Sequence, residues 1–419
     1  MASTEDLINV TFEKSPKLLS VNEILKPSTI LSWLLGVGVA RPANSPKILT
    51  FFVRFINFVV CSVIIAYGAI DFFIFGSVFK SDTFKIMYYS NKAVCYVSSY
   101  WYVIQGVVQY SKWPILMMEF ETIDKKMNQF GWKNDNRTIK KFQILTIIAT
   151  IILGPLSLIS HALYYYFTRP EDIFASDLLL YHTIAQSLAM NFTFDLIVLT
   201  IYNRFQTINN AAMQITEQLT AGIIIQEIRR FREIHHAICN IVRHVNSIHG
   251  GHLLLSSLNS FTMVVATLFR IYMGVVEGKH SFMMINNVIW MTYVAQFALT
   301  CFICTFTVRE SAKTGIIIHE IILRRVPHKQ RHCDLYSIDV SRSNNDPELF
   351  LRHEINDFSS QLYHCNVGFT AFEFFIMDNE LLRSFIGVIT TYLIILVQFY
   401  EPENESVIPM NATTIDTLQ

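Results

Sequence analysis

Apolar positions along this chain gather into long blocks, and the stretches between them carry most of the charge. Seven blocks come near or exceed the roughly 20 residues needed to cross a hydrocarbon core. They cover residues 48–76, 85–110, 142–167, 177–203, 252–276, 284–308 and 381–400. The pattern predicts an all-α membrane protein with seven transmembrane helices. "LSWLLGVGVA", residues 31–40, is apolar but too short to span, and Pro42 and Pro46 follow it, so an interfacial or re-entrant segment is expected. The polar start, "MASTEDLINVTFEKSPK", lacks the apolar core and cleavage site of a signal peptide, which predicts a retained amino terminus.

Between the blocks, residues 217–255 space apolar side chains three or four apart with Arg and His among them. This predicts a long amphipathic extension of the fourth span, with Gly250-Gly251 turning the chain into the fifth. Residues 327–348 are polar and turn-rich, and Pro347 is expected to open a last inner helix running to position 368.

Charge sets the orientation. The amino-terminal tail and the second, fourth and sixth loops hold 25 Lys and Arg, whereas the opposite set holds only Lys80, Arg169 and Lys279. Discounting the long sixth loop leaves 17 against 3. Cytoplasmic flanks are the basic ones, so the amino terminus is expected inside and the carboxyl terminus outside. Sequons at Asn404 and Asn411 fall in the tail placed outside, as glycosylation requires, while those at Asn9, Asn136 and Asn191 do not.

Seven helices in this orientation are the inverse of a G-protein-coupled receptor. The third span ends "YYYFTRPED" without Asp-Arg-Tyr, the seventh lacks Asn-Pro-x-x-Tyr, and the sixth has no proline. A seven-helix receptor signalling through cytoplasmic partners is the alternative to weigh.

Composition agrees with a membrane protein: 52% of the 419 residues are hydrophobic and 16% charged, with zero net charge, so no nucleic-acid partner is expected. Cys301 and Cys304 sit inside an apolar helix, where small packing residues are the ordinary reading. His235, His236, Cys239, His244, His249 and His252 include one i, i+4 His–Cys pair but no second pair at metal spacing. A solvated helix face is expected there, with no metal and no cofactor. "HEIIL" and "HEIND" each lack the second His of a zinc protease, and no phosphate loop or nucleophile elbow occurs, so no enzyme is expected.

Depth sorts the remaining candidates. The outer halves of the spans hold Asp71, Tyr96, His161, Gln186, Arg270, Trp290, Tyr293 and Gln296, aromatic and polar groups of the kind a small-molecule pocket uses. Interfacial anchoring competes for the exposed Tyr and Trp residues. Arg270 is an intramembrane charge for which Asp71 is a candidate partner. Asp195 lies deeper in the fourth span, where a structural hydrogen bond is expected.

In the last span Ser384, Gly387, Thr391, Ile395 and Gln398 share one sector of about 80° at 100° per residue. A polar stripe avoids lipid, so it faces either a packed neighbour or water. Tyr392 and Phe399 lie on the adjoining stripe, where subunit packing is the alternative use. Thr391-Tyr392, five apolar residues, then Gln398-Phe399 resembles the seventh-helix motif of insect gustatory receptors. "HCNVGFTAFEFFIMDNELLRSFIGVITTYLIILVQF" (364–399) and "RESAKTGIIIHEII" (309–322) resemble that family's carboxyl-terminal block and inner helix. Phe372 and Glu373 replace a Cys-Gly pair common in the block.

The resemblance implies a tastant-gated cation channel in the plasma membrane, a homo- or heterotetramer with other gustatory receptor subunits around a central pore. It implies a cytoplasmic segment 1–47, spans and outer pocket in 48–308, an inter-subunit anchor in 309–380, a pore helix at 381–400 and an outer tail at 401–419. On this reading Ser384, Gly387, Thr391, Ile395, Gln398 and Phe399 line the pore and gate, and Tyr392 packs. The tastant, a sugar or a bitter compound, is left open by a pocket inventory that is aromatic and moderately polar.

Overall fold

The computed structural model describes residues 20–43, 45–75, 82–168, 175–215, 220–276, 283–325 and 347–399. Among these residues the chain is a bundle of helices joined by one short hairpin. Helix α1 (Val21–Leu34) starts at a capping box, in which the Ser20 hydroxyl accepts from Glu23 N and the Glu23 carboxylate accepts from Ser20 N. The chain then leaves helical geometry through Gly36 and Gly38, with φ of 71° and 58°.

Residues 35–40 form a wedge held by its own backbone polar groups. Asn57 Nδ2 donates to Leu34 O at 3.3 Å, Gln186 Nε2 to Leu35 O at 2.9 Å, and Gly38 N to Tyr102 O at 3.0 Å. A Cβ on Gly36 would overlap Asn57, and one on Gly38 would overlap Met190. Val37, Val39 and Ala40 are buried. The short apolar stretch is therefore the end of a helix followed by non-helical backbone enclosed in protein, where its polar groups find partners.

Helices α2 (Lys47–Phe75), α5 (Arg137–Thr168), α6 (Ala175–Met213), α7 (Ala221–Val276), α8 (Met283–Arg325) and α10 (Asn379–Gln398) contain the six segments, among the described residues, long and apolar enough to cross a membrane. Helix α3 (Asp82–Val108) covers the second expected span but is more polar. Its polar residues are turned inward: Asn91, Lys92, Ser98, Ser99 and Gln105 are buried, while Ile86, Val97, Ile104, Val107 and Val108 are exposed. That inverted arrangement suits a helix whose outer face meets lipid. Helix α6 is the central element, packing on α3, α5, α7 and α8. Of its apolar window 89% is buried, against 11% for α10 at the edge.

Three expectations are corrected. Residues 217–255 do not prolong the fourth span: α6 ends at Met213, and α7 runs unbroken from Ala221 to Val276 through Gly250-Gly251. These glycines are packing notches instead of a turn. A Cβ at Gly251 would come within 2.5 Å of Trp101 and 2.8 Å of Phe372, and at Gly250 within 3.1 Å of Phe372. The loop expected at 111–141 contains helix α4 (Lys112–Gln129), whose buried face includes Trp113, Leu116, Phe120, Ile123 and Met127. The solvated histidine face is also wrong in part, since His235, His249 and His252 are buried against aromatic rings such as Phe194, Phe205 and Phe358.

The inner helix expected from Pro347 is α9 (Pro347–His364), four residues shorter at its end than expected. It docks on α7 through Arg229 and Arg232, which pair with the buried Glu354 at 2.9 and 3.0 Å. Next comes the hairpin of β1 (Thr370–Ala371) and β2 (Phe375–Ile376). Phe372 and Glu373, the pair in place of Cys-Gly, both adopt positive φ, 48° and 63°. A bulky residue there is strained. The Phe372 ring is held in the α7 notch, edge-on to Trp101 at 6.4 Å.

Candidate functional site

The hairpin delivers the chain to α10. Asp378 caps the helix by accepting from Leu381 N at 2.8 Å, and Asn379 N donates to the Thr305 hydroxyl of α8 at 3.1 Å. One face then lies on the bundle. Phe385 and Ile389 are buried, Phe385 stacks on Phe297 at 4.2 Å, and Tyr392 meets Phe261 edge-on at 5.5 Å. Tyr392 thus packs within its own chain.

Ser384, Gly387, Thr391, Ile395, Gln398 and Phe399 are all exposed, turned away from Phe385 and Ile389. A Cβ at Gly387 would meet nothing within 4 Å, so this glycine serves no close packing inside the chain. Thr390 and Thr391 donate to the carbonyls of Ile386 and Gly387 at 2.9 and 3.0 Å, which leaves the oxygen lone pairs facing outward. Gln398 has no such internal use among the described residues. An amide transferred to hydrocarbon without a partner costs about 4–8 kcal/mol. The stripe therefore requires water or another protein surface.

Among the described residues the pocket candidates have separate uses. Gln186 is spent on the wedge, donating to Leu35 O and lying 3.9 Å from Cys61 Sγ. Gln296 donates to Asp195 Oδ2 at 2.8 Å, and Thr300 donates to Asp195 Oδ1 at 2.8 Å. The expected structural bond of Asp195 is thus present, and one of the pocket candidates makes it. Tyr293 is buried near Cys95, Tyr102 and Asn259. Trp290 is half-buried and donates to Asn287 Oδ1 at 2.9 Å. Tyr96 lies over α2, its hydroxyl occupying the space a Cβ on Gly68 would need, and Arg270 is half-buried. The side chains of Asp71 and His161, and with them the Asp71–Arg270 pairing, lie outside the described residues, as do Asn404 and Asn411.

Sequence reading missed a polar line along α6. Thr193 shares a 2.7 Å bond with Ser32 of α1, and Asn191 accepts from Ser256 at 2.7 Å and pairs with His252 at 2.8 Å. Arg204 binds Asp124 of α4 through two contacts of 3.2 and 2.8 Å, and Asn209 donates to Glu310 of α8 at 2.7 Å. The signal available was the density of Asn, Thr, Asp and Arg in an otherwise apolar block. Their partners, scattered over four other helices, carry no sequence signature.

Comparison with known proteins places these features in a family. The family model described as 7tm chemosensory receptor matches residues 25–401. From Drosophila melanogaster, the candidate gustatory receptor 28b is 26% identical over 184 residues, covering 42% of this chain and 34% of its own length. Gustatory receptor 23a, from the same organism, is 25% identical over 180 residues, covering 42% and 41%. The matched stretches thus span less than half of these relatives. The structure of the insect olfactory receptor OR5 from Machilis hrabei in complex with eugenol has the same fold, with a TM-score of 0.53 at 13% identity, covering 89% of this chain and 97% of that one.

Proposed function

This chain belongs to the 7tm chemosensory receptor family, and from that premise we propose that it is a gustatory receptor acting as a tastant-gated, non-selective cation channel of the plasma membrane. Seven spans, α3 joining the six long apolar helices as the second in order, run with the amino terminus inside and the carboxyl terminus outside. Four chains, identical or mixed with other gustatory receptor subunits, surround a pore lined by α10. The observation that carries this reading is the exposed stripe of Ser384, Gly387, Thr391, Ile395 and Gln398 on a helix with 11% of its apolar window buried. A tetramer gives that stripe both of the surroundings it needs, neighbouring subunits at its flanks and water along the axis.

In this arrangement Gln398 and Phe399 stand at the outer mouth, an amide ring and an apolar constriction. The charged ends of α7, α8 and α9 form the anchor between subunits, and the tail with Asn404 and Asn411 lies outside. The ligand enters among the outer-half residues, of which Trp290, Tyr293 and Arg270 are the best placed. Gln186 and Gln296 shape that region through the wedge and Asp195. The eugenol held by the Machilis receptor supports a small organic ligand for this chain.

Currents recorded from cells expressing the chain, screened with tastants, test the proposal. Gln398→Ala is expected to change ion selectivity, and Phe399→Ala to raise the current without ligand about tenfold, which corresponds to roughly 1.4 kcal/mol in the closed–open balance. Unaltered conductance, selectivity and gating in both variants, at equal surface delivery, would overturn the pore assignment.

A further inference from the structure

At the opposite end of the bundle from Gln398, a second site is built around Arg54 of α2. This side chain is 2% exposed, and its contact with protein is a 3.3 Å bond from Nη2 to Ala40 O in the wedge. Nε and Nη1 have no hydrogen-bond partner among the described residues. A buried guanidinium normally faces a carboxylate or several carbonyls, because an uncompensated charge in a low-dielectric setting is strongly unfavourable. The fold nevertheless makes room for it. A Cβ on Gly106 would come within 2.6 Å of Arg54 Cζ, so the glycine of α3 is the floor on which the guanidinium rests.

A cavity of about 200 Å³ opens beside it, lined by Lys47, Thr50, Phe51, Arg54, Gly106 and Tyr110. Its donors are a guanidinium, an ammonium and the Tyr110 hydroxyl, while the Thr50 hydroxyl spends its proton on Pro46 O or Ser45 Oγ. Arg41 adds a third cation, lying over the Tyr110 ring at 3.7 Å and donating to its hydroxyl. Glu121 lines a neighbouring cavity with Arg41 but forms no ion pair with these cations among the described residues. On the membrane side the walls become apolar, with Phe51, Phe55 and Val107 exposed.

We propose that this groove between α2 and α3 binds the phosphate headgroup of an anionic phospholipid, with the acyl chains lying along Phe51, Phe55 and Val107. Arg54 meets the phosphate from below, Lys47 and Arg41 from the rim. The ligand completes the Arg54 coordination that the protein leaves open. It also ties the wedge to α2 and α3, so lipid occupancy sets how firmly the amino-terminal segment is held in the bundle. The site rests on the membrane reading only for the presence of lipid, and it is tested without tastant or current, so its failure is distinguishable from failure of the channel proposal.

The test uses the full chain, delipidated in neutral detergent, then titrated with phosphatidylserine, phosphatidylcholine or inorganic phosphate while thermal stability and retained lipid are measured. Phosphatidylserine is expected to bind saturably and raise the unfolding temperature. Phosphatidylcholine and free phosphate should do neither. Arg54→Gln should weaken phosphatidylserine binding by at least about fivefold, and the exposed Lys47→Gln by about fivefold, the typical effect of one basic group at an anionic lipid surface. Without lipid, Arg54→Gln should be no less stable than the parent, since it removes an unpaired buried charge. Should Arg54→Gln fail to fold, Lys47→Gln decides alone. Equal binding of the two lipids, undiminished binding in the variants, or an equal response to inorganic phosphate would each overturn the proposal, the last by assigning the site to a free anion.

Discussion

Asp195 is fully buried, and both of its carboxylate oxygens are used, one by Gln296 and the other by Thr300. Its removal leaves two donors without acceptors in the core, each costing about 1–3 kcal/mol. Asp195→Ala is therefore expected to lower the temperature at which the detergent-solubilised protein loses its monodisperse elution profile. Asp195→Asn, which keeps an oxygen for one donor, should lose less. Equal losses would show that the full carboxylate, with both of its acceptor oxygens, governs the position and that side-chain volume does not. Gly387 stands at the other extreme, exposed and with open space around it. Gly387→Leu should leave the stability of the single chain unchanged while altering assembly or conductance, as judged by cross-linking and current recordings. Loss of chain stability would assign this glycine to internal packing.

At the scale of elements, α7 joins the charged end of the bundle to the membrane as one 56-residue helix. Glycine inside a helix costs about 1 kcal/mol relative to alanine, so Gly250-Gly251 needs a compensating contact. The hairpin supplies it: Phe372 fills the notch beside Trp101 and so bears on the start of α10 a few residues later. Gly251→Ala should be destabilising, because overpacking of about 1–3 kcal/mol exceeds the helix-propensity gain. Gly222→Ala, near the open start of the same helix, should be neutral or slightly stabilising, as nothing lies within 4 Å of its added methyl. Thermal unfolding of the two variants checks the contrast. Seen in sequence, Gly-Gly reads as a turn by local preference, and only the ring lodged against it shows a packing role.

For the whole molecule, the uneven distribution of Lys and Arg predicts a carboxyl terminus outside the cell. An epitope tag after Gln419 should stain intact cells. Staining only after permeabilisation, with surface delivery confirmed independently, would overturn the topology and the channel reading that depends on it. Much of the architecture was legible in the chain because a hydrocarbon solvent imposes one dominant rule, that spanning segments are long, apolar and helical. That rule located the long apolar helices, helical periodicity showed the polar stripe on the last of them, and the motif Thr391-Tyr392 to Gln398-Phe399 was legible only as a resemblance. It could not disclose which buried polar groups pair, since Asp195 with Gln296, Arg204 with Asp124 and Thr193 with Ser32 are joined across 80 to 161 positions. Nor could it separate a glycine that turns the chain from one that admits a ring. The long apolar helices were determined by the sequence because each depends on its own residues and the surrounding solvent. The wedge, the polar line along α6 and the open coordination of Arg54 were decided by tertiary structure, because each depends on distant segments meeting.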